Sequence, residues 1–216
     1  NAIIVSVDGV GEWETTTIYE GTKNKLKKLD SIKFPHSLGM FYSAFTAFLG
    51  FKPNEGEYKM MGLAPYGDSS RYIDKFDSII TGKEGNFKLN MDLFTYEYSD
   101  THMFNEKLGM LLELPNRLPE EPLTQDHKDL AAAVQAIYEK YFFNLLNKAF
   151  SLSSSRNLCL SGGCAYNGTA NGKITDITPF KQLWIPPAPS DAGSAIGAGL
   201  YYWYNEMNNK VRVPNT

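Results

Sequence analysis

Asp8-Gly9-Val10-Gly11-Glu12 sets a carboxylate directly after an apolar run, Ala2 to Val7, and follows it with two glycines. A carboxylate at the end of a buried strand, beside flexible backbone, can stand next to a phosphate and its metal ion with N–H groups turned toward the anion. Asp-Gly also makes an ordinary hairpin turn, and both readings stay open here. The stretch Ser161-Gly162-Gly163-Cys164-Ala165-Tyr166-Asn167 again stops an apolar run, Leu158 to Leu160, with glycines. Lacking Cβ atoms, Gly162 and Gly163 let backbone lie flat against a nucleobase or ribose, and Asn167 adds an amide donor and acceptor one turn later. A plain tight turn at a strand end has the same pattern. Asp191, between Pro186-Pro187-Ala188-Pro189 and Ala192-Gly193-Ser194, either caps the next helix or holds a metal ion beside a phosphate. Glu57 and Lys59, in the mixed stretch Glu55 to Gly67, are either a surface ion pair or contacts to a bound substrate.

The elements around these residues decide whether they meet. Ala2 to Val7 is β-branched and apolar on both faces, as suits a central strand, and Trp13 to Glu20 and Asn24 to Ile32 complete three consecutive antiparallel strands. His36 or Ser37 then caps a helix through Gly50, with Leu38, Phe41, Phe45 and Phe48 at helical spacing. Residues 68–126 read as an insertion, with a helix over Tyr72 to Ile80, a turn at Lys83 to Asn86, a short alternating run at Phe87 to Leu89 and a Pro-rich stretch to Pro122. Thr124 or Asp126 starts the longest helix, to about Leu152, whose stripe Leu130, Val134, Ile137, Tyr141, Leu145 and Ala149 should cover the sheet. After the Ser-rich loop Ser151 to Ser155 come strand Leu158 to Leu160, a short helix, strand Gln182 to Ile185, and a helix over Ala192 to Asn205. The small residues of that last helix, Gly193, Ala195, Gly197, Ala198 and Gly199, allow close approach to a sheet or ligand. In an open α/β sheet, ligands gather outside the strand ends, so Asp8-Gly9, Gly162-Gly163 and Asp191 are expected to share one cleft.

The chain has 216 residues and a formal net charge of -3, without the Lys/Arg stripe of a nucleic-acid binder. No apolar stretch approaches a membrane span, so a soluble chain with neither nucleic acid nor membrane as partner is expected. Cys159 and Cys164 match neither a zinc knuckle nor a disulfide scaffold, which points to reduced, cytoplasmic thiols. His36 reads as a helix cap, and His102 and His127 as surface residues without metal-ligand spacing. The chain opens inside an apolar run without Met, as a fragment would, and Val211 to Thr216 reads as a linker toward a further domain. The expected division is residues 1–67 and 127–208 as one subdomain, 68–126 as an insertion of the kind that tunes acceptor specificity, and 209–216 as linker.

Four ordered blocks carry a resemblance: Val7 to Glu12, Glu57 to Gly67, Ser161 to Asn167, and Pro187 to Gly193. Together they look like the O-carbamoyltransferases of nodulation-factor and antibiotic biosynthesis, with Gly62-Leu63-Ala64-Pro65-Tyr66-Gly67 the most distinctive block and the others shared more loosely with actin-like ATPases. The resemblance implies an α/β, ribonuclease H-like or actin-like ATPase half-domain with three antiparallel strands, then alternating helices and strands, and a helical insertion. It implies transfer of a carbamoyl group from carbamoyl-adenylate, made from ATP and carbamoyl phosphate by a C-terminal adenylate-forming domain, to a hydroxyl of a small-molecule acceptor. It also implies an iron(II) or other divalent metal site in which Asp191 supplies one ligand. The histidine pair that completes the family's set, and the N-terminal half that would carry it, are not in this chain. Gly162, Gly163 and Asn167 are then assigned to adenosine, Asp8, Gly9 and Gly11 to phosphate or carbamoyl, and Glu57 with Lys59 to the substrate side. No general base is singled out. Two other readings stand beside this one: an actin-like sugar or metabolite kinase, from the glycine turns alone, and a non-catalytic nucleotide-binding half-domain. A homodimer that hides the face a missing half would cover is the remaining open partner.

Overall fold

The computed structural model describes residues 1–153 and 155–211. Its main sheet has five strands, β1 (Ala2–Val7), β2 (Glu14–Thr22), β3 (Lys25–Lys33), β6 (Asn157–Ser161) and β7 (Gln182–Trp184), in spatial order β3-β2-β1-β6-β7. β1 pairs antiparallel with β2, and β2 with β3. β6 joins the other edge of β1 in parallel, and β7 extends the parallel side. The chain is thus a mixed α/β fold with β1 at the centre of its sheet.

β1 alternates rather than being apolar-buried on both sides. Ile3, Val5 and Val7 are fully buried, whereas Ile4 and Ser6, on the opposite face, are only half-buried. Successive strand residues point to opposite faces, so the sheet has one packed and one open side. The packed side carries α1 (Leu38–Phe48) and α4 (Gln125–Leu152). Ser37 begins α1, its hydroxyl accepting the Met40 N–H at 3.0 Å, which satisfies one orphan donor of the first turn. In α4 a capping box between Thr124 and His127 closes the N-terminus, and the stripe Leu130, Val134, Ile137, Tyr141, Leu145 and Ala149 is buried throughout. Phe41, Phe45 and Phe76 meet between the helices and the following segment with ring centroids 5.1 to 6.0 Å apart.

His127 is 7% exposed, so it is a buried cap and not a surface residue: its Nδ1 accepts the Thr124 N–H at 3.0 Å. His36, by contrast, caps nothing: Ser37 is the cap of α1, and His36 Nδ1 accepts the Leu89 N–H at 3.2 Å.

Residues 68–126 contain short elements packed into the same core: 3-10 turns at Ser69–Arg71 and Ile73–Ser78, the two-stranded β4 (Ile80–Thr81) and β5 (Lys88–Leu89), and α3 (Glu106–Leu112). The helix expected over Tyr72 to Ile80 does not form as an α-helix. Asn90 takes its outgoing carbonyls, with its N–H on Ile79 C=O at 2.8 Å and its amide on Ser78 C=O at 3.0 Å, and the chain turns into β4. The segment after α1 folds as α2 (Glu57–Leu63), then a 3-10 turn at Ala64–Tyr66.

The C-terminal part departs most from the sequence reading. After α5 (Gly168–Asn171), α6 (Ile174–Ile177) and β7 come a 3-10 turn at Asp191–Gly193, α7 (Ser194–Tyr201) and one π turn at Tyr202–Glu206. None of these last three elements has a buried residue. A Cβ on Gly197 or Gly199 would meet nothing within 4 Å, so the small residues of α7 make no close approach to the sheet. The Asn24 amide donates to Tyr204 C=O at 3.1 Å and ties this end to the β2–β3 turn. Residues 212–216, the greater part of the expected linker, lie outside the described residues.

Candidate functional site

Asp8 leaves the C-terminal end of β1, and its Oδ1 accepts two backbone N–H groups: Gly9 at 2.8 Å and Gly163 at 3.1 Å. One carboxylate oxygen therefore staples together two turns 155 residues apart in sequence. The parallel pairing of β1 with β6 puts both strand ends on one edge of the sheet, which is why these turns can meet. Gly162 sits at φ +88°, and a Cβ there would fall 2.1 Å from the Val7 carbonyl oxygen, so only glycine fits. The Gly162 N–H donates to Pro189 C=O at 2.7 Å, which draws the loop that carries Asp191 to the same edge. The Asp191 side chain is exposed two residues further on.

From the other side α1 presses on this junction. Ser37 Oγ lies 2.9 Å from Asp8 C=O and 2.6 Å from Gly9 C=O, and a Cβ on Gly39 would fall 2.6 Å from the Asp8 carbonyl oxygen. Gly11 closes the first turn, its N–H on Glu14 C=O at 3.0 Å. Cys164 follows the glycine pair, is buried, and has its thiol pushed up to about 12 by burial, with the Asp8 charge adding to it. It is an inert packing thiol, not a nucleophile.

Asn167 is 9% exposed, and its side chain works inside the protein. Its Oδ1 accepts the Ala170 N–H at 3.0 Å, starting α5, and it exchanges two amide hydrogen bonds with Gln135, both 3.1 Å. Glu57 is not in an ion pair with Lys59. Its Oε1 accepts from Ser43 Oγ at 2.6 Å and from the Asn54 N–H at 2.8 Å, and its Oε2 from the Gly56 N–H at 3.2 Å. Lys59 is exposed with its ammonium 5.9 Å from the centre of the Tyr58 ring.

The block Gly62 to Gly67 docks on the start of α4. A Cβ on Gly67 would fall 2.0 Å from Lys128 C=O, and Gln125 Nε2 donates to Tyr66 C=O at 3.1 Å. Asp129, 4% exposed, accepts from the Asp68 N–H and from Gln125 Nε2, both at 2.8 Å, and from Arg71 at 3.3 Å. Burial works to raise its carboxyl, but those hydrogen bonds outweigh it and hold the group below the usual carboxylate range. Gly62 itself faces open space, and Tyr58, Tyr66 and Tyr166 stand 64%, 72% and 58% exposed.

The structure thus brings Asp8, Gly9, Gly162 and Gly163 into direct contact and adds the Asp191 loop through Pro189. It gives Asn167 and Glu57 internal partners. Ser43, Gln135 and Gly39 escaped the sequence reading because their neighbours come from other elements, whereas Ser37 was offered there as a cap of α1.

Among the described residues no three His, Cys, Asp or Glu side chains come together as a metal site. Asp8 spends Oδ1 on the turns and Asp191 stands as a lone exposed carboxylate, so this chain's own residues do not fit a resident iron ion, and no reaction step is derived through one. An open groove of about 560 Å³, lined by Phe48, Phe104, Gly109, Met110 and Leu114 among others, lies at the far end of α1. Nine residues of helix separate it from Gly39, or about 14 Å.

The sequence model of the family described as Carbamoyltransferase N-terminus matches residues 1–200. An uncharacterised protein of Synechocystis is 46% identical over 99% of this chain and 35% of its own length. Nodulation protein NolNO of Sinorhizobium fredii is 31% identical over 92% of this chain and 28% of its own length. Nodulation protein NolO of Bradyrhizobium diazoefficiens is also 31% identical, over 92% of this chain and 34% of its own length. The chain spans about a third of the length of these relatives. No helix among the described residues is long and apolar enough to cross a membrane.

Proposed function

The chain belongs to the carbamoyltransferase family, in the part described as its N-terminus, and from that premise we propose that it forms part of an enzyme moving a carbamoyl group from carbamoyl-adenylate to a hydroxyl of a small-molecule acceptor. The observation that carries this reading is the staple of Asp8 Oδ1 on Gly9 N–H and Gly163 N–H, which makes one rigid edge from two glycine turns. The sheet order, with three antiparallel strands flanked by two parallel ones, supports an actin-like half-domain.

Gly163, half-buried at the sheet edge, offers its backbone to the adenosine, while Gly162, buried with its N–H on Pro189 C=O and its C=O on the Ala165 N–H, shapes the turn, and Asn167 contributes by holding their loop. Asp8 is placed against the carbamoyl group rather than the phosphate, because a carboxylate accepts hydrogen bonds from an N–H₂ and repels an anion. The backbone of Gly9 and Gly11 borders the phosphate. Glu57 and Lys59 lie toward the acceptor. The acceptor oxygen attacks the carbamoyl carbon while its proton passes to solvent water, the bond from that carbon to the phosphate oxygen breaks, and AMP leaves with the electron pair. Orientation of the two reactants supplies most of the acceleration this site can offer. Formation of the adenylate from ATP and carbamoyl phosphate is assigned to another part of the protein. Asp191 enters a divalent-metal site only with donors from outside this chain.

The test is product analysis with the protein in its natural length, ATP, carbamoyl phosphate and a panel of hydroxyl acceptors. Carbamoylated acceptor and AMP, both dependent on carbamoyl phosphate, are expected. Phosphorylated acceptor formed from ATP alone overturns the proposal in favour of a kinase.

A further inference from the structure

Gln135 lies in the middle of α4, 6% exposed, within an otherwise apolar stripe. It fills four hydrogen-bonding positions. Its Oε1 accepts from the Tyr42 hydroxyl at 2.8 Å and from Asn167 Nδ2 at 3.1 Å; its Nε2 donates to Asn167 Oδ1 at 3.1 Å and to Glu139 Oε1 at 2.9 Å. Glu139 in turn receives Lys173 Nζ at 2.7 and 2.8 Å. One amide therefore links α1, α4 and the loop that opens α5. A leucine would fill this volume without the desolvation cost of an amide, and a fully satisfied buried polar network gives directional precision that apolar packing does not.

The loop it holds runs from Gly162 to Asn167, the stretch assigned above to the nucleotide. At one end that loop is pinned by Asp8 on Gly163 N–H and by Pro189 C=O on Gly162 N–H. At the other end Gln135 anchors it through the paired amides of Asn167, while Asn171 Nδ2 donates to Ala165 C=O at 2.7 Å and the Tyr138 hydroxyl to Cys164 C=O at 3.4 Å in between.

We propose that Gln135, backed by Tyr42, is the positioning residue that fixes the Gly162–Asn167 loop in its nucleotide-receiving shape. The proposal rests on the nucleotide reading above only for what the loop binds, not for how it is held.

The experiment compares the wild-type chain with Gln135→Met, which keeps length and volume but removes all four hydrogen bonds, and with Tyr42→Phe, which removes one. Binding of AMP and of ATP is read by calorimetry well below the melting temperature, and amide hydrogen exchange is read along the chain. Gln135→Met is expected to weaken nucleotide binding about tenfold or more, and Tyr42→Phe by less, with faster exchange confined to residues 162–171. Wild-type affinity and wild-type exchange in that loop overturn the proposal. So does exchange raised uniformly through the core, which marks a purely structural role. If the wild-type chain binds neither nucleotide, the carbamoyl-adenylate reading loses its support while loop exchange still decides the role of Gln135. If Gln135→Met does not fold, Tyr42→Phe gives the same readout with one bond lost.

Discussion

Gly162 and Gly62 look alike in the sequence and are opposites in the structure. The first is held at φ +88° against the Val7 carbonyl, and the second has nothing within 4 Å. Gly162→Ala is expected to cost about 2 kcal/mol or more through left-handed strain and the carbonyl clash, read as a lowered urea midpoint. Gly62→Ala, inside α2, is expected to gain about 0.4–1 kcal/mol by restricting the unfolded chain. A loss of carbamoyl transfer in that stabilised variant would mean that the open space at Gly62 belongs to substrate. A missing Cβ is visible in sequence, but what occupies its place is decided by elements hundreds of atoms away along the chain. The same holds for Asn167: its amide pairs with Gln135 across 32 positions, so the polar residue was legible and its partner was not. Asp8 was the opposite case, because a carboxylate ending a β-branched strand has few places to go other than the sheet edge.

Helix α4 was readable nearly to its ends because its apolar stripe keeps helical period over 28 residues. The turns of Ile73–Ser78 carried similar spacing and still failed to extend, since Asn90 takes the carbonyls that a continuing helix would need. Period reports which face is buried, and competing hydrogen bonds decide the backbone. The capping box of α4 makes a further prediction. Burial, together with the Arg117 charge, holds the His127 imidazole below its usual value, and burial with the Lys88 charge does the same for His36. A folded-state value below the unfolded one means that the unfolded chain binds more protons under acid conditions. This stability is complete above about pH 6.5 and falls away as pH drops through the folded-state values. Asp129 adds its own loss only at lower pH, beneath the usual carboxylate range. Glutamine at the same position can still complete a capping box and does not titrate. His127→Gln is therefore expected to flatten the stability profile between about pH 7 and 5, measured as urea midpoints. An unchanged slope would assign the acid loss elsewhere.

At the scale of the molecule, the fold is lopsided. One side of the sheet is packed by α1 and α4, while Ile4 and Cys159 on the other side are only half-buried, and α7 has no buried side chain, the π turn that follows it being tied to the β2–β3 turn. Leu145→Ala in the packed half is expected to cost about 2–5 kcal/mol, whereas Leu200→Gln on α7 should change stability by less than about 0.5 kcal/mol in urea melts of this chain. The α/β class and the central strand could be read from alternation and turn chemistry. The exposure of α7 could not, because its composition suits contact with something and composition alone does not say with what. The tryptophans follow the same asymmetry: Trp13, Trp184 and Trp203 are 74%, 54% and 43% exposed, and no indole lies in the core. Intrinsic emission of the native chain should therefore already be red-shifted and nearly blind to melting of the interior. A blue shift would announce instead that something has settled over the wetted half of the protein.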